Sequence, residues 1–140
     1  MDGHEPFQLL IDHLTETSEL MEEYCSKFTC PEIGRVCGLL HDIGKYSPEF
    51  QRRVRGDAIH VDHATAGAFV AQKIAETEPR GSKIAYSLLS YVIAGHHTGL
   101  PNMGSVNSSL SDLYLRLKNC DPERFSAWER EVITPFMHLD

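Results

Sequence analysis

His41 and Asp42 stand side by side in Leu39-Leu40-His41-Asp42-Ile43-Gly44-Lys45, and both side chains can bind a metal ion. An apolar run precedes the pair; a glycine and a lysine follow it. Four further histidines flank it along the chain: His13, His63 and the adjacent His96 and His97. Imidazole nitrogens with one carboxylate suit transition metals such as iron, manganese, cobalt, nickel or zinc, and disfavour calcium. A carboxylate can bridge two ions. Two ions about 3.5–4 Å apart activate water and stabilise the leaving oxygen in phosphodiester hydrolysis. No serine or cysteine nucleophile motif and no glycine-rich phosphate loop is present, so metal-activated water is the simplest chemistry these residues allow. Lys45, three positions after Asp42, can meet a phosphate oxygen at such a centre. A lysine just past a helix end is also favourable in its own right.

These residues need elements to carry them, and the periodicity predicts helices throughout. Phe7, Leu10, Ile11, Leu14, Met21, Tyr24, Cys25 and Phe28 recur at helical spacing, giving a first helix over 6–28 with His13 beside the stripe. Taken alone, His13 reads as an ordinary partly buried histidine. Thr29-Cys30-Pro31 breaks the chain. A second helix over 32–43 buries Ile33, Val36, Cys37, Leu40 and Ile43, with Gly44 as its stop. His41 then sits at its C-terminal end, where a buried ionisable pair needs a partner. Ser47-Pro48 caps a short helix to about Val54. Asp62 caps a helix over 63–76 whose Ala64, Ala66, Gly67, Ala68 and Ala71 suit close packing at the centre of the domain. A turn over Thr77–Ser82 leads to an apolar helix over 83–94 that presents Ile84, Leu88, Tyr91 and Val92 on one face and ends at Gly95-His96-His97. A loop to Ser109, a short helix over 110–118 and a last helix opened by Asp121-Pro122 and ended by Pro135 complete an all-α domain. Phe125, Trp128 and Val132 mark the inner face of that last helix. The ligand-type residues therefore gather at helix ends, a common place for bundle metal sites.

Composition narrows the surroundings. The 140 residues correspond to one domain, 1–140, and 41% are apolar, which excludes disorder and fibre. No apolar run is long enough to span a bilayer, and Met1-Asp2-Gly3-His4-Glu5-Pro6 lacks the basic-then-apolar pattern of a secretion signal, so a cytoplasmic location is expected. Cys25, Cys30, Cys37 and Cys120 form no C-x-x-C pair and read as reduced thiols. A net charge of −7 argues against a broad nucleic-acid surface, although bound divalent ions would add positive charge locally. Lys45, Arg52, Arg53 and Arg55 nevertheless cluster within eleven residues, either as a solvated helix face or as a contact for an anionic polymer.

The motifs together resemble a known family. Gly38-Leu39-Leu40-His41-Asp42-Ile43-Gly44-Lys45, Phe50-Gln51, Asp62-His63-Ala64-Thr65-Ala66-Gly67-Ala68 and Gly95-His96-His97-Thr98-Gly99-Leu100-Pro101 are similar to the HD nuclease domain of the CRISPR type I interference helicase–nuclease, within the HD superfamily of metal-dependent phosphohydrolases. Leu10-Ile11-Asp12-His13-Leu14 resembles the segment carrying that family's first ligand histidine. The likeness covers about residues 10–102, and the doublet His96-His97 before Gly-Leu-Pro is its most discriminating part. It implies a compact helical bundle of the HD type with its metal site at helix ends. His13, His41, Asp42, His63, His96 and His97 would ligate divalent ions, two in number, drawn from manganese, iron, nickel, cobalt, zinc or magnesium. Asp42 would be the bridge and Lys45 the contact to the scissile phosphate. The implied activity is cleavage of single-stranded DNA in antiviral defence. The implied partners are a helicase, in the same chain or a separate one, and an RNA-guided surveillance complex. One part of the pattern is missing: a late metal-binding aspartate within an Ala-Asp helix. Asp112 is the nearest acidic residue and Asp140 the last, and neither lies in such a motif, so the domain is expected to be short at its C-terminal end. Two other readings remain open. One is an HD-superfamily phosphohydrolase of nucleotides, which needs a closed pocket; the other is a non-catalytic HD-like module that binds metal or nucleotide.

Overall fold

The computed structural model describes residues 9–107 and 109–136, and among these it contains seven α-helices, two short 3-10 turns and no strand. The all-α expectation holds. Helices α1 (Leu10–Ser26) and α2 (Pro31–Leu40) form an antiparallel pair. Thr29 makes the reversal in a left-handed conformation (φ 61°), and Pro31 fills the first turn of α2, where a missing N–H does no harm. The pair is unusually close. A Cβ on Gly34 would lie 2.2 Å from the Met21 carbonyl oxygen, and one on Gly38 would lie 2.4 Å from the Ser18 Cα. Two glycines four residues apart thus lay the α2 backbone directly on α1.

Helix α2 ends at Leu40 rather than at 43. His41 still donates its backbone N–H to the Cys37 carbonyl, but Asp42 leaves helical geometry (φ −120°, ψ 17°) and a 3-10 turn over Ile43–Tyr46 follows. Aspartate is a poor helix-interior residue, and its departure turns the chain at the pair itself. Ser47 then caps α3 (Pro48–Val54) by accepting from the Phe50 N–H, as its position before a proline predicts.

Helix α4 (Ala64–Thr77) is the small-residue helix, and its Ala64, Ala66, Ala68, Ala71 and Ala75 are all buried. Asp62 caps it by accepting from the N–H groups of Ala64 and Thr65. Helix α5 (Arg80–Gly95) begins three residues earlier than its apolar pattern indicates, because Pro79 stands at its N-cap and Gly81 is absorbed into the first turn. Its buried face also differs. Leu89, Ser90, Ile93 and Ala94 pack inwards with Tyr86, while Ile84, Leu88 and Val92 stay exposed. The apolar arc of α5 is wider than the surface that α4 and α2 cover. Tyr24 and Phe28 of α1 are exposed as well.

Helix α6 (Leu113–Lys118) is shorter than the 110–118 expected. The last helix splits into a 3-10 turn at Pro122–Phe125 and α7 (Trp128–Phe136), which carries Pro135 in its final turn. Phe125 and Val132 are buried and Trp128 packs against the core, as expected of that inner face. The four cysteines are free; burial raises Cys37 and Cys120 to about 11, so both are inert thiols. Among the described residues no helix is long and apolar enough to cross a membrane.

Candidate metal centre

Asp42 is 3% exposed and lies where four helix segments meet. His13 reaches it from the second turn of α1, His41 from the C-cap of α2, His63 from the N-cap of α4, and His96 and His97 from the end of α5. Each carboxylate oxygen has its own set of neighbours. Oδ2 faces His13 Nε2 at 3.0 Å, His41 Nε2 at 3.1 Å and the Lys45 ammonium at 2.9 Å. Oδ1 faces His63 Nε2 at 3.5 Å, His96 Nε2 at 3.2 Å and His97 Nε2 at 3.9 Å. The structure therefore brings together all six residues singled out in the sequence, and divides them into two groups that share one aspartate.

The backbone at two helix ends sets the tautomers. His41 Nδ1 donates to the Gly38 carbonyl at 2.7 Å, and His96 Nδ1 donates to the Ile93 carbonyl at 2.6 Å. A carbonyl can only accept, so Nδ1 holds the proton in both rings. Each ring thereby turns its Nε2 towards a carboxylate oxygen. His13 and His41 bring their Nε2 atoms within 3.2 Å of each other, and His63 and His97 bring theirs within 2.6 Å. Ring nitrogens this close to one another and to a carboxylate must share a proton or a cation. The donor set, imidazole nitrogens around one carboxylate, fits a divalent first-row ion, and the carbonyl bonds at Nδ1 are the orienting partners such ligands need.

Electrostatics favour the ligand forms of Asp42, His63 and His97. Burial alone would raise Asp42, but hydrogen bonds from His41, His96 and Lys45 outweigh it and hold the carboxyl far below the usual range, so it is ionised. Desolvation holds His63 below the ordinary imidazole value despite the pull of Asp42, and desolvation with the neighbouring His96 does the same to His97. His96 is shifted upward, chiefly by its hydrogen bond with Asp42 against the effect of burial.

The backbone also controls how near His63 comes. A Cβ on Gly44 would lie 2.3 Å from the His63 carbonyl oxygen and 2.7 Å from its Cα. Only glycine lets the 3-10 turn behind Asp42 touch the start of α4. Phe50 meets the His63 ring edge-on at 5.2 Å between centroids, and Lys45 lies 5.5 Å from the centre of the Phe50 ring.

Asp112 is not in either group. It precedes α6 and lines a cleft that His63 and His97 also line. Asp140 lies outside the described residues. The basic cluster divides: Lys45 faces Asp42 and Arg53 lines the cleft beside His63 and His97, whereas Arg52 pairs with Asp57 and Arg55 turns back to the Gln51 carbonyl. One residue near the centre carried no sequence signal. Arg116 of α6 reaches Thr65 and Ala94, beside the two helix ends that present His63 and His96.

The family model described as the HD domain matches residues 10–131, a span containing all six residues. The chain is 32% identical over 113 residues to the CRISPR-associated nuclease/helicase Cas3 of Haloferax volcanii, an alignment covering 72% of this chain and 12% of that protein. No solved structure matches the chain significantly.

Proposed function

Because the chain belongs to the HD-domain family, whose members bind divalent metals and are generally metal-dependent hydrolases, we propose that it is a nuclease cutting single-stranded DNA in CRISPR-based antiviral defence. One observation carries this reading: two groups of histidines share a single ionised aspartate, the layout expected of a two-ion phosphodiesterase centre. His13 and His41 with Asp42 would hold one divalent ion, and His63, His96 and His97 with Asp42 the other. When bound, such ions supply charge stabilisation and a deprotonated water at neutral pH.

The remaining work falls to the side chains. Asp42 stays ionised because its neighbours donate to it, and each of its oxygens serves one group of histidines. The carbonyls of Gly38 and Ile93 hold His41 and His96 with Nε2 facing inwards. Lys45 Nζ lies 2.9 Å from Asp42 Oδ2, on the rim of a cleft with His13, Phe50 and Val54, where it can turn to a phosphate oxygen. A second cleft, lined by His63, His97, Arg53, His60 and Leu100, opens on the other flank. Open clefts on both flanks favour a strand passing across the centre over a nucleotide enclosed within it. The named relative is a CRISPR-associated nuclease/helicase, which supports a helicase as partner in a CRISPR setting. An RNA-guided surveillance complex is the further partner proposed there.

The test is cleavage of circular single-stranded DNA with manganese, nickel or cobalt added, comparing wild type with Asp42→Ala. Metal-dependent nicking by the wild type, absent in the variant, is expected. A folded wild type that leaves the circle intact with every metal overturns the nuclease reading.

A further inference from the structure

The two histidines anchored by backbone carbonyls, His41 and His96, contrast with His63. Its Nδ1 is buried without a hydrogen-bond partner among the described residues. No backbone bond at Nδ1 therefore fixes where His63 sits relative to His96 and His97. One device that links the elements carrying them is Arg116. Its side chain is only 14% exposed and reaches three groups from two elements. Nε donates to Thr65 Oγ1 at 2.9 Å, one terminal nitrogen donates to the Ala94 carbonyl at 3.0 Å, and the other lies 3.6 Å from Asp62 Oδ1. Asp62 and Thr65 bracket His63 at the start of α4. Ala94 lies two residues before His96, in the last turn of α5, where a carbonyl lacks an intrahelical partner. Thr65 completes the link by donating its hydroxyl to Asp62 Oδ2 at 2.5 Å.

We propose that Arg116 is a positioning residue for the second ion. It braces the start of α4 against the end of α5, so that His63 and the His96–His97 doublet stay at ligating separation. The proposal rests on the two-ion reading above. The geometry suits arginine and no other residue. Three groups in three directions need the planar fork of the guanidinium, whereas a lysine ammonium can satisfy part of the set at most. Residues that orient ligands in this way typically change metal affinity by about 10–100-fold when removed. The His13–His41 group lies on α1 and α2, which Arg116 does not touch through any of these bonds, so the effect should fall on one ion alone.

The experiment is a titration of the full chain with cobalt alone, read by its visible absorption and by calorimetry, for wild type, Arg116→Met, Arg116→Lys and Thr65→Val. Two ions are expected in the wild type. In Arg116→Met one affinity falls by about 10–100-fold and the other holds. Arg116→Lys recovers part of the loss, and Thr65→Val shows the same one-sided weakening to a smaller degree. If Arg116→Met does not fold, Arg116→Lys and Thr65→Val decide the question by the same criterion. Two ions in the wild type with both affinities unchanged in the folded variants, or both weakened equally, overturn the role of Arg116 and leave the two-ion reading intact. A wild type that takes up a single ion overturns the two-ion reading and this proposal with it.

Discussion

The two sides of Asp42 are built differently. The Oδ2 side draws His13 and His41 from α1 and α2, an adjacent pair whose backbones are pressed together at Gly34 and Gly38. The Oδ1 side draws its histidines from the facing ends of α4 and α5, and His97 there is about half exposed. Close backbone packing underlies both sides, since Gly44 brings the 3-10 turn against His63 and Gly67 brings α4 against Leu40. The Oδ1 side adds a bridge of side chains, those of Arg116, Thr65 and Asp62. The lesson is that a single carboxylate can join a half-site set by backbone packing to one that also depends on a side-chain bridge, and the bridged half is where affinity is most easily tuned.

Asp42→Ala should have the largest effect, because it removes the group common to both sides. Uptake of both ions should vanish in a cobalt titration, and cleavage should fall by more than about 10³-fold, to no detectable nicking, since more than one electrostatic stabiliser is lost. Retention of either ion at wild-type affinity would show the halves to be independent. Lys45→Ala should lower the cleavage rate by about 10²-fold while leaving ion uptake in place. Loss of ions instead would recast Lys45 as a structural partner of Asp42. Gly44→Ala tests the seam between the sides. The added methyl must push the start of α4 away, so destabilisation of about 1–3 kcal/mol in denaturant melts is expected, with the Oδ1-side ion weakened more than the other.

The smallest effect concerns the Oδ2 side alone. The Tyr46 hydroxyl donates to Glu131 at 2.6 Å, tying the 3-10 turn after Asp42 to α7. Burial, then this bond and the Glu131 charge, raise the Tyr46 pKa above its ordinary value of 10.0. A raised acid favours its protonated form in the fold. Its contribution is therefore complete below pH 10 and is lost as pH climbs through the higher folded-state value. Tyr46→Phe should cost about 1 kcal/mol at neutral pH and remove that alkaline decline. Melting curves from pH 8 to 11 that superimpose for the two proteins would count against the tie.

The sequence disclosed the centre better than its supports. His41, Asp42, His63, His96 and His97 could be picked out because ionisable side chains beside buried apolar helices need partners, and helix ends can be read from caps such as Ser47 and Asp62. The buried helix α4 was legible for a similar local reason, its run of alanines. Arg116 was not, since nothing within Leu113–Lys118 distinguishes a basic side chain facing water from one reaching two other helices. The buried face of α5 was also hidden. Its apolar residues cover too wide an arc, and only the position of α4 decides that Leu89 and Ile93 go inwards while Ile84, Leu88 and Val92 do not. Asp112 was the converse case, the nearest acidic residue by order along the chain but outside the expected motif, which the start of α6 carries into a neighbouring cleft. That start is fixed by Leu113 and Tyr114 donating to the carbonyls of Asn102 and Met103.

The meeting of four helix segments at one carboxylate has a topological consequence. His13 and His41 are 28 residues apart, and His63 and His97 are 34 apart, so an ion at each group would close a long loop in the manner of a covalent cross-link. Unlike a disulfide, such a staple is reversible and set by concentration. Metal at a hundredfold excess over its dissociation constant adds about 2.7 kcal/mol to the folded state at each site, so the melting temperature becomes a gauge of free metal.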